Sequence, residues 1–199
     1  MNFNAQPKSL SVCVYCGSRV GAKPIYRQTA VQLGREMARR GQTLVYGGGS
    51  IGLMGVIADA LMAAGGRAIG IIPEHLHIRE VGHAGLTRLE IVDNMHTRKQ
   101  RMFELSDAFL ALPGGTGTLD ETVEILTWRQ LGLHDKPLVL LDADGYWRPF
   151  LGLIEHFIAE GFAGDDVRRL YQVAPSAPCA LDLIAASAPS PAPAHPERM

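Results

Sequence analysis

Short apolar runs alternate with segments of helical spacing along nearly the whole chain. The runs at Leu10 to Tyr15, Thr43 to Tyr46, Ala68 to Ile72, Leu89 to Val92, Ala108 to Leu112 and Leu138 to Leu141 predict strands. Helices are predicted between them. Pro24 opens one that runs to about Arg40, with Ile25, Val31, Leu33 and Met37 as its apolar positions. Leu53 to Ala64 forms another, ended by Gly65-Gly66. Asn94 is placed to cap a helix from Met95 to Leu105. Further helices are expected at Leu119 to Leu131, at Trp147 to Glu160 and, shorter, at Ala180 to Ala186. Glu74 to Leu86 is polar and histidine-bearing, and reads as a loop over one edge of a site.

Near-continuous apolar strands alternating with helices predict an α/β fold. Its parallel sheet of six to seven strands is covered by helices on both faces. Ligands in such folds sit at the carboxyl ends of the strands. The informative loops all fall there: Gly17-Ser18, Gly47 to Gly55, Pro73-Glu74, Asn94 to Lys99 and Pro113 to Glu121. A single domain is expected over residues 1–186. The Pro- and Ala-rich stretch 187–199, SAPSPAPAHPERM, is expected to be disordered.

Composition narrows the function classes. A net charge of −1 over 199 residues gives no basic surplus for wrapping nucleic acid and no charge run for a membrane surface. No run approaches the roughly 20 apolar residues of a membrane span, and the N-terminus lacks the basic-then-apolar order of a signal peptide. Three cysteines make no disulfide framework, so a reduced, cytoplasmic setting is expected.

The candidate chemistry lies in three segments. Pro113-Gly114-Gly115-Thr116-Gly117-Thr118-Leu119-Asp120-Glu121 follows a strand and leads into a helix. Such a turn presents backbone N–H groups with no side chains in the way, and the helix dipole favours an anion, so it suits a phosphate. Thr118 to Glu121 also fits a capping box, in which Glu121 would merely close a helix start. Gly47-Gly48-Gly49-Ser50-Ile51-Gly52 fits G-x-G-x-x-G, with Glu74 where a dinucleotide fold places its ribose-binding acid. Alternatively, it is a tight turn that needs glycine for close packing. In Met95-His96-Thr97-Arg98-Lys99, Arg98 could hold a phosphate or carboxylate through two hydrogen bonds, with Lys99 as a point charge. A solvated basic face is the other reading, since Arg101 follows. Cys13 and Cys16 are three apart, so while both stay on the strand they point to opposite faces and cannot share a metal, and a core role is expected. His75 and His77 are better spaced, but nothing completes a metal site with them. Trp128 reads as a packing or subunit-contact residue.

Together these residues are similar to the Lonely Guy family of cytokinin-activating enzymes. Pro113 to Glu121 matches the family's PGGxGTxxE pattern and Gly47 to Gly55 its GGGxxGLMG segment; Tyr15 to Ser18 and Met95 to Lys99 match as well. The likeness runs from about Val12 to Glu160. It implies a Rossmann-like fold and a homodimer or larger assembly. It also implies hydrolysis of the N-glycosidic bond of an N6-modified adenosine 5′-monophosphate, giving the free cytokinin base and ribose 5-phosphate. AMP itself is expected as a substrate or ligand. The resemblance implies catalytic roles for Arg98 and Glu121. Ser18, Gly48, Gly49, Met95, Lys99, Gly114, Gly115, Thr116, Gly117, Thr118 and Asp120 are then expected to bind nucleotide and phosphate. No cofactor and no metal is expected. None of the four lysines sits in a recognisable pyridoxal context, which argues against the decarboxylase description that such chains have carried. Two other classes explain part of the pattern. One is a non-catalytic nucleotide sensor or carrier on the same fold. The other is a dinucleotide-dependent oxidoreductase, which leaves the Pro113 turn unexplained.

Overall fold

Seven parallel strands form one sheet in the order β4-β3-β2-β1-β5-β6-β7. The computed structural model describes residues 9–80 and 82–187. The strands are β1 (Ser11–Tyr15), β2 (Thr43–Tyr46), β3 (Arg67–Pro73), β4 (Arg88–Val92), β5 (Ala108–Ala111), β6 (Leu138–Leu141) and β7 (Gln172–Ala174). The helices are α1 (Pro24–Arg39), α2 (Gly52–Ala63), α3 (Glu74–Glu80), α4 (Met95–Glu104), α5 (Thr116–Gln130), α6 (Arg148–Ala159) and α7 (Ala177–Ser187).

The apolar pattern follows from how each strand is covered. Every residue of β2, β5 and β6 is buried, because helices lie on both faces. Edge strand β4 is only partly covered and accordingly mixes Arg88 and Glu90 with its aliphatic residues. Alternate strand residues feed two cores. Val12, Val14, Leu44, Leu110 and Val139 pack with Leu33 and Met37 of α1, Ile57 and Leu61 of α2 and Leu181 of α7. Cys13, Tyr15, Val45, Phe109 and Leu138 pack with Met102 of α4, Ile125 and Leu126 of α5 and Ile154 of α6. Cys13 and Cys16 fall in opposite cores, Cys16 just beyond the end of β1.

Four elements depart from the sequence reading. The first half of the expected 74–86 loop is α3; no glycine or proline interrupts Glu74 to Glu80, and Glu74 stands in its first turn. Strand β7 is three residues long and pairs only with β6, too short to give a periodic signal. Helix α7 starts at Ala177, with Pro178 tolerated in its first turn. Helix α5 starts at Thr116 inside the glycine turn, three residues before Leu119. The expected disordered tail lies outside the described residues, except for Ser187 at the end of α7. Among the described residues no helix is long and apolar enough to cross a membrane.

Candidate active site

The strand order reverses direction beside β1: the chain moves outward through β2, β3 and β4, then returns to add β5 on β1's other side. The loops after β1 and β5 therefore diverge and open a crevice at the carboxyl edge. The Gly17 N–H donates to the Pro113 carbonyl at 3.1 Å, and the Leu112 N–H to the Tyr15 carbonyl at 2.9 Å, locking the two loops side by side. Gly17 allows this contact, since a Cβ there would stand 3.2 Å from Gly114 Cα.

A cavity of about 220 Å³ lies in the crevice. Helix α5 points its N-terminus at it. Gly115 is the N-cap residue in extended conformation, and no side chain caps the helix start. The first-turn N–H groups of Thr116, Gly117 and Thr118 have no partner within the helix. Gly115, Thr116 and Gly117 are exposed and line the cavity, as do Thr118, Asp120 and Glu121. This placement removes the capping-box reading: Thr118 is the third helical residue rather than the N-cap, and Glu121 is the sixth.

The opposite wall comes from α4. Asn94 caps it as expected, its side chain accepting from the Thr97 N–H at 3.0 Å. That fixes Met95 and Arg98 one turn apart, both on the cavity. Arg98 is 8% exposed, which removes the solvated-face reading. Its Nη2 lies 3.4 Å from Glu121 Oε1, its Nη1 donates to Met95 Sδ at 3.7 Å, and its Nε is buried with no hydrogen-bond partner. Glu121 is equally buried, and burial pushes its carboxyl pKa up to about 7, against the pull of Arg98 and Lys99. A carboxyl that titrates near neutrality in a cleft is suited to proton transfer.

Neighbours in sequence are divided by the helix. Lys99 turns away from the cavity and pairs with Asp120 at 2.7 Å and Glu124 at 3.4 Å. Partial burial works against its ammonium, yet hydrogen bonds and charge from Asp120 and Glu124 outweigh it and keep the pKa above the ordinary value. So Lys99 holds α4 to α5 through Asp120 and does not line the cavity. Gly48 and Gly49 do not line it either. Both are buried behind it, where Gly48 O accepts from the His83 N–H at 3.1 Å and Gly49 bridges Gly82. Gly48 has φ +73°, and a Cβ there would meet Leu89, Ile71 and Ile72 at 3.1–3.3 Å. Glu74 is exposed at the start of α3 and is not among the lining residues.

Ser18 and Met95 line the cavity as expected, and Gly114 lines an adjoining one of about 330 Å³ with Tyr26, Leu53 and Tyr146. The Tyr146 hydroxyl donates to the Gly114 carbonyl. Sequence reasoning did not single out Cys16, Gly17 or Met54 as site residues, although all three line the main cavity. The available signal was their position inside the matched segments Tyr15 to Ser18 and Gly47 to Gly55. Trp128 packs edge-on against Phe103, with ring centroids 5.2 Å apart. Among the described residues no three His, Cys, Asp or Glu side chains form a metal-holding group.

Comparison with known proteins adds a family to this geometry. A protein-family model described as "possible lysine decarboxylase" matches residues 54–184. The three described lysines do not fit that description: Lys99 is tied to two carboxylates, Lys23 pairs with Asp144, and Lys136 donates to the Phe103 carbonyl. The chain is 49% identical over 166 residues to the cytokinin riboside 5′-monophosphate phosphoribohydrolase LOG of Oryza sativa subsp. japonica, covering 83% of this chain and 69% of that one. It is 51% identical over 163 residues to the cytokinin riboside 5′-monophosphate phosphoribohydrolase of Rhodococcoides fascians, covering 81% and 82%. The solved molybdenum cofactor binding protein of Rippkaea orientalis shares the fold, with a TM-score of 0.68 at 23% identity over 91% of this chain and 98% of that one. With this identity carried over most of its length, the chain belongs to the family of cytokinin riboside 5′-monophosphate phosphoribohydrolases.

Proposed function

We propose that this protein hydrolyses the N-glycosidic bond of an N6-modified adenosine 5′-monophosphate to a free base and ribose 5-phosphate, with AMP as a lesser or equal substrate. The observation that carries the reading is the buried Arg98–Glu121 pair, 3.4 Å apart, about one and a half helical turns beyond the uncapped start of α5. The N–H groups of Thr116, Gly117 and Thr118 bind the 5′-phosphate, assisted by Gly115 and Ser18. Glu121 lies five residues along α5 from Thr116, a rise of about 7.5 Å. That is the order of the span from a 5′-phosphate to the anomeric carbon. Binding energy at the phosphate thus fixes the sugar against the carboxylate.

Cleavage of the C1′–N bond builds positive charge on the ribose, as in glycoside hydrolysis. The Glu121 carboxylate stabilises that charge and takes a proton from the attacking water. The water oxygen bonds to C1′, the C1′–N bond breaks, and its electron pair leaves with the base, which takes a proton from solvent while Glu121 returns to solvent the proton it took from water. Arg98 holds Glu121 in place and offsets charge at the reacting centre. Asp120 and Lys99 brace α4 against α5 behind it. Met54 and Met95 offer a soft apolar wall for the base. Gly48, Gly49 and Gly114 support the loops.

The chain acts as one domain built on its single sheet and assembles as a homodimer. Leu119 and Val123, 37% and 39% exposed, make an apolar stripe along α5 beside the site, and Leu153 and Phe157 of α6 are exposed as well. Three free cysteines suit a reduced, cytoplasmic setting.

The test is incubation with AMP and with isopentenyladenosine monophosphate, following base and ribose 5-phosphate. Release of both products in equal amounts is expected. Tight nucleotide binding without release would replace this reading with the nucleotide sensor.

A further inference from the structure

The residue just after β2 has a use that its backbone does not explain. Gly47 is buried, and its φ lies outside the left-handed region, so alanine would suit its backbone. What forbids a side chain is Arg98. A Cβ on Gly47 would stand 2.0 Å from Arg98 Nη2 and 3.0 Å from Cζ, with Met54 Sδ next at 3.3 Å. Nη2 is also the nitrogen 3.4 Å from Glu121 Oε1. We infer that Gly47 is a positioning residue for this site: the volume left by its absent side chain holds the Arg98 guanidinium, and so sets the nitrogen that faces Glu121.

This role rests on the catalytic reading of Arg98 and Glu121 and adds to it the wall behind them. Arg98 is the side that gives way. It leaves helix α4 at a fixed point and is 8% exposed, but among the described residues its tip is held only by Met95 Sδ against Nη1 and by Glu121 facing Nη2. None of them gives the guanidinium a hydrogen bond on the Nε side, so a methyl at position 47 displaces Nη2 from Glu121. Met54 is an unbranched thioether that can repack by a few tenths of an ångström. A methyl group at position 47 therefore acts on the Arg98–Glu121 geometry before it acts on the core.

A double-mutant cycle on Gly47→Ala and Arg98→Ala tests this, with melting temperature, turnover and pH profile as readouts. Gly47→Ala alone should lower the melting temperature and reduce kcat about 100-fold, the scale of an ångström-level misplacement. KM should stay within about threefold. The acid limb of its kcat/KM profile should move to higher pH, because Glu121 loses its facing cation. In the Arg98→Ala background the methyl meets only Met54 Sδ, at 3.3 Å. There Gly47→Ala should change the melting temperature and the residual turnover far less than it does in the wild-type background. Gly47→Ala failing to fold while the double variant folds would support the inference in the same way. Equal loss of stability in both backgrounds would overturn it, as would wild-type kcat in Gly47→Ala. So would failure of both variants to fold while Arg98→Ala folds. If Arg98→Ala kept wild-type turnover, the catalytic reading would fail, yet the stability cycle would still decide whether Gly47 holds the guanidinium.

Discussion

Two glycine-rich turns flank the β1 loop at the carboxyl edge of the sheet, and they do opposite work. The turn after β5 is open beyond Gly114, where a Cβ would strike Thr118 Oγ1. Gly115 and Gly117 are exposed on the cavity, and a Cβ on either would meet nothing within 4 Å. The turn after β2 is closed. Gly47 to Gly49 are buried, and a Cβ at 47, 48, 52 or 55 would strike a neighbour. Gly52 is the most confined of the left-handed ones, with φ +63° and the Ser18 backbone 2.2 Å from the Cβ position. In the first turn glycine clears space for a ligand. In the second it clears space for the protein itself, namely Arg98, the β1 loop and strand β3. A G-x-G-x-x-G spacing cannot tell these apart, because both demand the same missing side chain.

The contrast makes predictions that can be ranked. The largest concerns the catalytic end of the open turn. Glu121→Gln should retain nucleotide binding and lose about 10³-fold in kcat, measured by base release. Arg98→Ala should cost about 10²-fold in kcat/KM and weaken binding. The wild-type kcat/KM should rise about tenfold per pH unit at low pH and level off through about 7, where the buried Glu121 ionises. The sign follows from burial: the carboxyl keeps its proton well above the ordinary range, so the reactive carboxylate appears only as pH rises. Arg98 opposes that shift, and its removal should move the limb upward.

Smaller effects separate the turns directly. Gly52→Ala puts alanine in a left-handed conformation costing about 1–2 kcal/mol, before any clash with Ser18. Its melting temperature should fall by about 4 °C or more. Gly117→Ala sits in the first turn of α5 with open space around it, where alanine favours the helix by up to about 1 kcal/mol. Its melting temperature should hold or rise slightly, while KM increases because the methyl projects at the phosphate. A fall in melting temperature for Gly117→Ala, or an unchanged one for Gly52→Ala, would erase the distinction between the turns.

What the sequence made legible follows the same division. The buried parallel strands β1, β2, β5 and β6 announce themselves as apolar runs, and Asn94 as a cap. The Pro113 to Glu121 turn points to an anion and a carboxylate from residue types alone. The short edge strand β7 and helix α3 carry too little periodicity to be read. The start of α5 was misplaced because Thr118 to Glu121 imitates a capping box, while the helix begins at the extended Gly115. The site's partition was hidden too. Arg98 and Lys99 are adjacent, yet about 100° of helical rotation puts one on the cavity and the other on Asp120 and Glu124. The burial of Arg98 depends on Gly47, fifty-one residues earlier, a long-range contact that no local pattern encodes.

The central claim is that the buried Glu121 carboxylate, held by Arg98 beside an uncapped helix start, breaks a glycosidic bond. Turnover of isopentenyladenosine monophosphate by wild type and Glu121→Gln, with nucleotide affinity measured on both by calorimetry, tests it most directly. The account predicts free base and ribose 5-phosphate from the wild type, and near-equal affinity with about 10³-fold less product from the variant. Undiminished release by Glu121→Gln would contradict it.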